Sequence, residues 1–384
     1  MRPTIVRLTG GIGALALGAA LLGAPPAGAS ERHGRGTAYA VTVTVENAAP
    51  ETGTLLTPFW VGLHDGGFDL YDRDAPASAE LERLAEDGNT MPISGAFAAS
   101  AQGRDTTIAG PGGPLQPGES GSTTLVVDPS VSRYLSFASM VIPSNDAFIA
   151  NGDPLAHPIF DEDGNFAAQT IEVPGSAVLD AGTEVNDEVP ENTAALAQAM
   201  PDTGVMQGGV VTTHAGFQAG GNILAAHPAA DFTASGYVAA RVTVSAVPVD
   251  LSNRSFLAVA DGGQEVPSNG SGGAAWTVLK VRKAGTAVRV DARVWGLDGL
   301  SASHLHLGVP GENGPVVVDL GEGIEVRRDG RARIRLDITA DDLVGPLAGT
   351  SLASVVQALD DGEIYVNFHT EAFPGGEIRG QFRN

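Results

Sequence analysis

Three histidines in the last third of the chain have the residue type and the spacing of a metal site. His304 and His306 stand two residues apart in one alternating segment, and His369 lies in another. Side chains two apart on a β-strand point to the same face of the sheet. If the two segments pair, three imidazoles converge, and this ligand set suits zinc or copper. Glu377 or a water molecule would then complete the coordination.

Two other interpretations of this histidine cluster remain open. The imidazoles could form ordinary surface hydrogen bonds, for example with Asn367 or Thr370. Alternatively, a histidine-x-histidine pair on a β-barrel is similar to copper/zinc superoxide dismutase, which would make the protein a metal-dependent redox enzyme. However, no histidine lies between His306 and His369 to bridge two metals, and the chain has no cysteine. We therefore expect a non-enzymatic role and keep the redox enzyme as the alternative.

Acidic residues of the first half could hold a calcium ion. Calcium takes about six to eight oxygen ligands, mostly carboxylate and carbonyl groups on flexible loops. Asp146, Asp180 and Glu184 are separated in the sequence, but two neighbouring loops of a β-sandwich would bring them together. We call these three residues the acidic site and predict calcium there first.

A second acidic segment follows the register of an EF-hand loop. Asp161, Asp163 and Asn165 place oxygens at its first, third and fifth positions. However, Phe166 stands where the tight turn of an EF-hand needs glycine, and Pro158 interrupts the incoming helix. An Asp/Asn turn between two strands explains the segment better, and a looser calcium loop remains the alternative.

The charge of the chain narrows the classes of partner. The 384 residues carry a net charge of −23. Residues 30–248 contain 27 acidic and 7 basic side chains, whereas residues 249–384 contain 18 and 13. Such a negative field repels nucleic acid and anionic membranes, and it attracts cations. We therefore expect no nucleic-acid partner; the partner is instead an extracellular protein or a cell-envelope component whose identity the sequence leaves open.

The N-terminus has the pattern of a secretory signal. Arg2 and Arg7 precede an apolar run over 8–23, and the Ala-Gly-Ala sequence at 27–29 suits signal peptidase. The run is shorter than the about 20 apolar residues that span a bilayer. We predict that residues 1–29 are cleaved and that the mature chain is secreted, without an integral membrane span.

Alternating apolar and polar residues recur along the mature chain, as in half-buried β-strands. Glycine- and proline-rich segments separate these runs, which is typical of sandwiches and Greek-key barrels. Helical patterns are limited to 78–87, with Ser78 as N-cap and Gly88 as a stop, and to 351–359. The predicted fold class is therefore all-β, with a few short helices and a domain boundary near Pro248.

The first predicted domain, residues 38–247, resembles the spondin N-terminal domain. This resemblance implies a C2-like antiparallel sandwich that binds one calcium ion at an edge, in proteins of the extracellular matrix. It also implies that Asp146 and Asp180 are acidic loop residues of that site. Four motifs carry the resemblance in order: PFWVGLHD at 58–65, ASAELERLAEDG at 77–88, SMVIPSND at 139–146 and DAGTE at 180–184.

The second predicted domain, residues 254–384, resembles the CHRD domain of chordin. The resemblance implies an immunoglobulin-like or superoxide-dismutase-like β-barrel. It rests on FL at 256–257, GQEVP at 263–267, HLHLG at 304–308, GENGPVV at 311–317, YVNFHT at 365–370 and PGGEIRGQ at 374–381. Together these features predict a secreted bacterial protein that acts in extracellular binding, adhesion or matrix association, with calcium in its first domain.

Overall fold

A computed structural model describes residues 38–100, 103–201, 203–251, 254–282, 285–321, 324–326 and 331–383. The predicted signal at 1–29 lies outside these residues. In chain order, the strands of the first half are β1 (Ala38–Asn47), β2 (Leu55–Leu56), β3 (Phe59–His64), β4 (Gly103–Ile108), β5 (Ser120–Val127), β6 (Tyr134–Ile142), β7 (Ala147–Ala150), β8 (Gln169–Pro174), β9 (Leu179–Asp180), β10 (Thr212–Thr213) and β11 (Val238–Val249).

The strands of the second half are β12 (Ser255–Asp261), β13 (Ala274–Arg282), β14 (Ala287–Trp295), β15 (Leu300–Leu307), β16 (Val316–Asp319), β17 (Ile324–Val326), β18 (Ala332–Ile338), β19 (Ile364–Thr370) and β20 (Ile378–Gln381). The α-helices are α1 (Ala79–Asp87), α2 (Met91–Ser100), α3 (Asn222–Ala226) and α4 (Leu352–Asp360). The predominance of strands confirms the predicted all-β class with few short helices.

The first half is a β-sandwich of two antiparallel sheets. One sheet has the order β5-β1-β11-β8, and the other has the order β10-β9-β7-β6-β3-β4, with β2 paired to β6. The period-two pattern explains the packing, because Val41, Val43 and Val45 are completely buried while the residues between them are half-exposed. These valines share one core with Phe59 and Val61 of the other sheet. The predicted sandwich is therefore present.

Local sequence signals explain α1. The Ser78 hydroxyl accepts a hydrogen bond of 3.2 Å from a backbone N–H of the first turn, and Gly88 ends the helix at φ +66°, where glycine is unstrained. α4 confirms the second predicted helix. The sequence pattern does not predict α2, because this helix has no polar face. It forms where Ile93 and Phe97 pack into the core that surrounds Trp60.

The second half is one antiparallel sheet with the order β16-β15-β19-β20-β12-β13-β14-β18-β17. The sheet surrounds a single core together with α4. Leu305 of β15 faces Val366 of β19, and both side chains are fully buried in this core. The alternate residues of the two strands therefore point to the opposite face of the sheet, where the histidine cluster lies.

The predicted boundary near Pro248 falls inside a strand. β11 continues through Pro248 to Val249, which pairs with Ala38 of β1. β8 pairs with β11 only up to Val244, so Pro248 lies where β11 has one open side. Sheets tolerate proline at such positions. The first-half strands therefore end two residues after the predicted limit at 247.

The two halves contact each other at the ends of β1, β5 and β11. Ala38 and Leu251 belong to the core of the second half, and Val126 and Val249 pack against it. A few apolar residues therefore join two cores that are otherwise built from separate strand sets. The division into two domains stays a prediction.

Candidate metal sites

The histidine cluster lies on the face of the β15–β19 pair that is opposite the core. Nitrogens of His304, His306 and His369, one from each ring, all lie within 4.8 Å of one another. The Nδ1 atom of His304 and the Nε2 atom of His369 are 3.1 Å apart and share a hydrogen bond. The described residues contain no other group of three histidine or acidic ligands this close. The pairing of β15 with β19 therefore brings the three imidazole rings together, as the predicted metal site requires.

Backbone carbonyls fix the tautomer of two of these rings. The Nδ1 atom of His306 lies 2.9 Å from the Gly314 carbonyl oxygen, and that of His369 lies 3.0 Å from the Pro374 carbonyl oxygen. A carbonyl oxygen only accepts, so each Nδ1 carries the proton and each Nε2 keeps its lone pair. The Nε2 atom of His306 is buried without a hydrogen-bond partner among the described residues.

The environment keeps two of the rings neutral. Burial lowers the pKa of His306 and of His369, and the nearby His304 lowers both further. The hydrogen bonds to the carbonyls of Gly314 and Pro374 act in the opposite direction and are weaker than burial. Neutral imidazole is the form that a metal ion requires, and burial favours this form in both rings.

Tyr365 and Arg379 support the loop that orients His306. The Tyr365 ring stacks on His306, with 4.8 Å between ring centres and 11° between planes, and its hydroxyl accepts a hydrogen bond from Gly314 N–H at 3.1 Å. The guanidinium of Arg379 lies 3.6 Å from the centre of the Tyr365 ring and donates to two carbonyls of the 309–312 segment. Sequence reasoning missed Arg379, although its alternation within β20 places it on this face.

Glu377 does not join the histidine cluster. Its two carboxylate oxygens accept hydrogen bonds from the hydroxyls of Ser271 and Thr370. Of the two predicted ways to complete the site, Glu377 or a water molecule, the structure does not bring Glu377 to the histidines, because these hydroxyls hold its carboxylate in a separate hydrogen-bond network. The fold therefore brings three histidine nitrogens together at this site without a carboxylate from Glu377.

Two further polar side chains lie on the same covered face. Asn367 is opposite His304 across the β15–β19 pair and donates to Glu265 at 3.4 Å. Both side chains are more than nine-tenths buried, yet Asn367 Oδ1 and Glu265 Oε1 have no donor within the described ranges. Both oxygens point towards Gly376, where a Cβ would stand 2.6 Å and 2.9 Å from them, respectively. Burial raises the pKa of Glu265.

The acidic site forms where β7 and β9 pair. Asp146 directly precedes β7, Asp180 ends β9, and Ala147 faces Asp180 across the pair. The Oδ2 atom of Asp146 accepts hydrogen bonds from the backbone N–H groups of Thr183 at 2.8 Å and Glu184 at 3.1 Å. Strand pairing therefore brings the three predicted calcium ligands into one loop region.

Asp146 is a carboxylate with no solvent exposure. Its Oδ1 atom has no hydrogen-bond partner in the described part of the chain, and neither has the buried Oδ1 atom of the adjacent Asn145. Burial, followed by the negative charge of Asp180, raises the pKa of Asp146 to about 6, although hydrogen bonds from Glu184 and Thr183 lower it. Buried oxygens without a donor are uncommon in folded proteins, and a bound cation would satisfy them.

The other two carboxylates of the acidic site are already oriented by hydrogen bonds. Asp180 accepts from Gly182 N–H and from the Asn186 amide, each at 2.7 Å, and Glu184 accepts from Gly204 N–H at 2.8 Å. An ionised carboxylate has lone pairs beyond these, so both groups could still bind a cation. The three carboxylates do not approach one another as closely as the nitrogens of the histidine cluster do.

His214 is a neighbour of the acidic site that sequence reasoning missed. Its ring packs edge-on against Phe217 and Phe232, and its Nε2 atom is buried without a partner in the described structure. Burial lowers the pKa of His214, whereas the negative charges of Asp180 and Glu188 raise it. No local pattern indicates this position, because the pairing of β10 with β9 alone brings it beside Asp180.

The second acidic segment is an exposed turn. Asp161 Oδ1 accepts from the backbone N–H groups of Asp163 at 2.9 Å and Asn165 at 2.8 Å, and its Oδ2 accepts from the Asn165 amide. An isolated bridge between Phe160 and Phe166 closes the turn. Residues 147–174 are all described and contain strands and turns without an EF-hand helix. Calcium binding here stays a prediction.

Each half of the chain matches a different protein-family model. Residues 46–153 match the family model described as Spondin_N, and residues 256–382 match the model described as CHRD domain. Both predicted resemblances are confirmed. The two matches occur in the predicted order, and they indicate an extracellular protein of the binding type. No curated protein matches the chain significantly.

One candidate site lies completely inside a family match, and the other lies inside a match only in part. The whole histidine cluster, with Tyr365 and Arg379, lies inside the CHRD match at 256–382. In the acidic site, Asp146 lies inside the Spondin_N match at 46–153, whereas Asp180 and Glu184 follow its end. The part of the sandwich that completes the acidic site is therefore described by the structure and not by the family match.

Proposed function

We propose that this protein is a secreted, non-enzymatic binding protein whose first half binds a calcium ion at the acidic site. The observation that supports this proposal most is the Asp146 carboxylate, which is fully buried and has one oxygen without a partner in the described structure. A buried ionised carboxylate is costly unless a positive group compensates it. A cation would supply that charge and would also relieve the repulsion from Asp180.

The donor atoms of the acidic site suit calcium. Asp146, Asp180 and Glu184 would supply carboxylate oxygens, and the buried Oδ1 atom of Asn145 is a further oxygen at the same loop. Calcium prefers oxygen ligands of this kind on loops that can adjust around it. An ion held between the β7 and β9 ends would tie the 180–184 loop to the sandwich edge.

The charge of the first half supports a role in binding. Residues 30–248 have an acidic excess that favours a cationic surface on the partner, and calcium would neutralise part of it. We propose an extracellular protein or a cell-envelope component as the partner, with adhesion or matrix association as the result. Within the residues that the structure describes, no helix has the length and apolarity to cross a membrane. The pattern at 1–29 supports secretion.

A copper/zinc-type redox enzyme has no comparable support. Neither the Spondin_N match nor the CHRD match is to an enzymatic type of domain. Among the described residues, the histidine cluster is the one group of three close histidine or acidic side chains, and it contains no fourth such group that could bridge to a second metal ion. We therefore do not propose redox catalysis.

Thermal unfolding of the full chain with and without calcium tests the proposal. An ion that binds only the folded state adds RT ln(1 + [L]/Kd), or about 2.7 kcal/mol at a hundredfold excess over Kd. We expect calcium to raise the Tm of the chelator-treated protein, and we expect Asp146→Asn and Asp180→Asn to abolish that rise. Asp161→Asn is the matched control and should retain it.

Two results of the calcium experiment would contradict the proposal. If Asp146→Asn and Asp180→Asn respond to calcium like the parent, the acidic site does not bind the ion, and Asp161 with Asp163 becomes the next location to test. If the parent shows no change in Tm with millimolar calcium, the proposed calcium role is wrong. Binding of the chain to cell-envelope preparations, measured with calcium and with chelator, tests the adhesive role.

A further inference from the structure

We propose that His304, His306 and His369 bind one divalent transition-metal ion, zinc or copper, on the covered polar face of the CHRD region. This site is separate from the acidic site, and the proposal does not depend on calcium. It rests on the convergence of three nitrogens, on fixed tautomers and on an unpartnered buried nitrogen. These observations distinguish the cluster from histidines that only form surface hydrogen bonds.

The first step is the direction of the lone pairs. The Gly314 and Pro374 carbonyls hold the Nδ1 protons of His306 and His369, so both Nε2 lone pairs are available. Metal-binding histidines commonly have this arrangement, in which the second ring nitrogen donates to a carbonyl or carboxylate. A surface histidine needs no such support, and its free nitrogen would face solvent, whereas the Nε2 atom of His306 is buried without a partner in the described chain.

The second step is distance. Zn–N bonds of about 2.0–2.1 Å in a tetrahedron place ligand nitrogens about 3.3 Å from one another. His304 Nδ1 and His369 Nε2 are 3.1 Å apart, which matches this separation. The three nitrogens lie within 4.8 Å of one another, so those furthest apart must approach by at most about 1.5 Å when an ion binds. β15 and β19 are paired through this region, so the backbone need not move.

The third step is the proton between two of the rings. Because His369 Nε2 carries a lone pair, His304 Nδ1 is the donor in the bond that joins them. A metal ion would take the place of this proton. His304 would then carry its proton on Nε2, so the ring stays neutral and no proton needs to leave the protein when the ion binds. The hydrogen bond therefore marks the position of the ion.

The fourth step is the kind of metal. Three neutral imidazoles suit zinc and copper, whereas calcium and magnesium prefer carboxylate, carbonyl and water oxygens. Glu377, the nearest predicted carboxylate ligand, is held by Ser271 and Thr370 instead. The absence of carboxylates from the ligand set favours zinc or copper over the hard cations that the acidic site would select.

The test is a titration of the chelator-treated full chain with zinc, in competition with a chromophoric chelator. Excess calcium is present throughout to occupy carboxylates. We expect one tight equivalent of zinc. We expect His304→Gln, His306→Gln and His369→Gln each to lower the affinity by more than the about 10- to 100-fold that loss of an outer-shell partner costs. Glutamine retains hydrogen-bonding capacity, and circular dichroism confirms that each variant is folded.

The control is His227→Gln, a half-exposed histidine of the first half, which should bind zinc like the parent. A parallel titration with copper(II), followed by electron paramagnetic resonance, should show nitrogen coupling in the parent that is lost when all three histidines are changed to glutamine. The proposal is overturned if the folded parent binds no tight equivalent of either metal. It is equally overturned if the triple variant with all three histidines changed binds zinc as tightly as the parent.

Discussion

The acidic site and the histidine cluster are both formed by strand pairing, but one is built from carboxylates and the other from imidazoles. In each, two paired strands bring together side chains from separate parts of the chain, and at least one buried polar atom is left without a partner in the described structure. Burial raises the pKa of Asp146 and lowers the pKa of His306, because a low-dielectric environment favours the neutral form of both groups. The neutral form is a poor metal ligand for the carboxyl group but the binding form for imidazole.

Burial therefore opposes cation binding by the carboxyl group of Asp146 and favours metal binding by the imidazoles. Binding at the acidic site requires Asp146 to be ionised, so a cation there must overcome its raised pKa. In the histidine cluster, burial lowers the pKa of His306 and His369 and so favours the neutral form that a metal ion would require. The supports differ as well, because loop N–H groups hold Asp146, whereas a paired β-ladder places the histidines. An adjustable loop suits calcium, and a rigid strand pair suits the narrow geometry of zinc.

The largest expected effect is a difference in stability between substitutions on the two faces of β15. Leu305 is fully buried in the core opposite the histidine cluster, so Leu305→Ala should cost about 2–5 kcal/mol of stability. His306→Gln, one residue further along, should leave the stability of the metal-free protein much less changed and should instead weaken zinc binding. Urea unfolding of both metal-free variants measures the contrast. Equal destabilisation by the two changes would show that the polar face is a second structural core.

The next effect is the pH dependence of stability that arises from His64, a buried histidine whose two ring nitrogens are both hydrogen-bonded. His64 is fully buried, accepts from Gly66 N–H at its Nδ1 atom and donates from Nε2 to the Ser136 hydroxyl at 2.9 Å. Burial lowers the pKa of His64 from 6.5 to about 4, although Asp65 raises it. Between these values the unfolded chain binds more protons than the folded chain, so stability should fall as pH decreases from 6.5 towards 4.

The size of this effect follows from the shift in pKa. It corresponds to a loss on the order of 3 kcal/mol, which is complete below the folded pKa. His64→Gln should remove this part of the pH dependence, measured as the difference between the two proteins in urea unfolding from pH 7 to 4. Zinc should not stabilise the protein through His64, because both of its nitrogens are already used. Parallel pH profiles for parent and variant would contradict the assignment.

A smaller effect is expected at Arg379. This side chain contacts the Tyr365 ring and holds carbonyls of the 309–312 segment, so it positions the loop whose Gly314 carbonyl orients His306. Arg379→Lys should weaken zinc binding by about tenfold to a hundredfold, as is typical for an outer-shell change. The response to calcium should be unaffected. Arg289→Lys, in a partly exposed pair with Asp337, is the control. A lost calcium response would indicate general unfolding instead of a local role.

The smallest effect is expected at the exposed turn. Asp161 accepts its hydrogen bonds within the turn, and asparagine can accept most of the same bonds, so Asp161→Asn should change stability by less than about 0.5 kcal/mol. It should also leave both metal responses intact. Thermal unfolding with calcium and with zinc checks this outcome. A loss of the calcium response in this variant alone would move the calcium site from the acidic site to the turn.

Part of this architecture could be predicted from local pattern. The period-two alternation of β1 predicts its buried valines, and Ser78 with Gly88 predicts the limits of α1. The same alternation places His304 and His306 on one face of β15. Four ordered motifs in the first half and a dense set in the second predict the two family resemblances. These features depend on neighbouring residues along the chain, so the sequence contains them directly.

The remaining features depend on residues far apart in the chain. Alternation does not state which strand pairs with which, so the β15–β19 and β7–β9 pairings could not be derived from it. The helical state of α2 arises from the packing of Ile93 and Phe97, and the burial of Asp146 arises from the sandwich edge around it. Glu377 was the alternative to water for completing the histidine site, but the hydroxyls of Ser271 and Thr370 hold its carboxylate in another network.

The sequence by itself determined the residue types of both sites and the strand face that carries His304 and His306. The tertiary structure decided which of these residues meet, which atoms remain unpartnered and which protonation state burial favours. The physical reason is that side-chain direction along a strand is a local property, whereas strand order, desolvation and carbonyl contacts are set by the whole sheet. His306 shows both contributions, since its face follows from alternation and its free Nε2 from the carbonyl of Gly314.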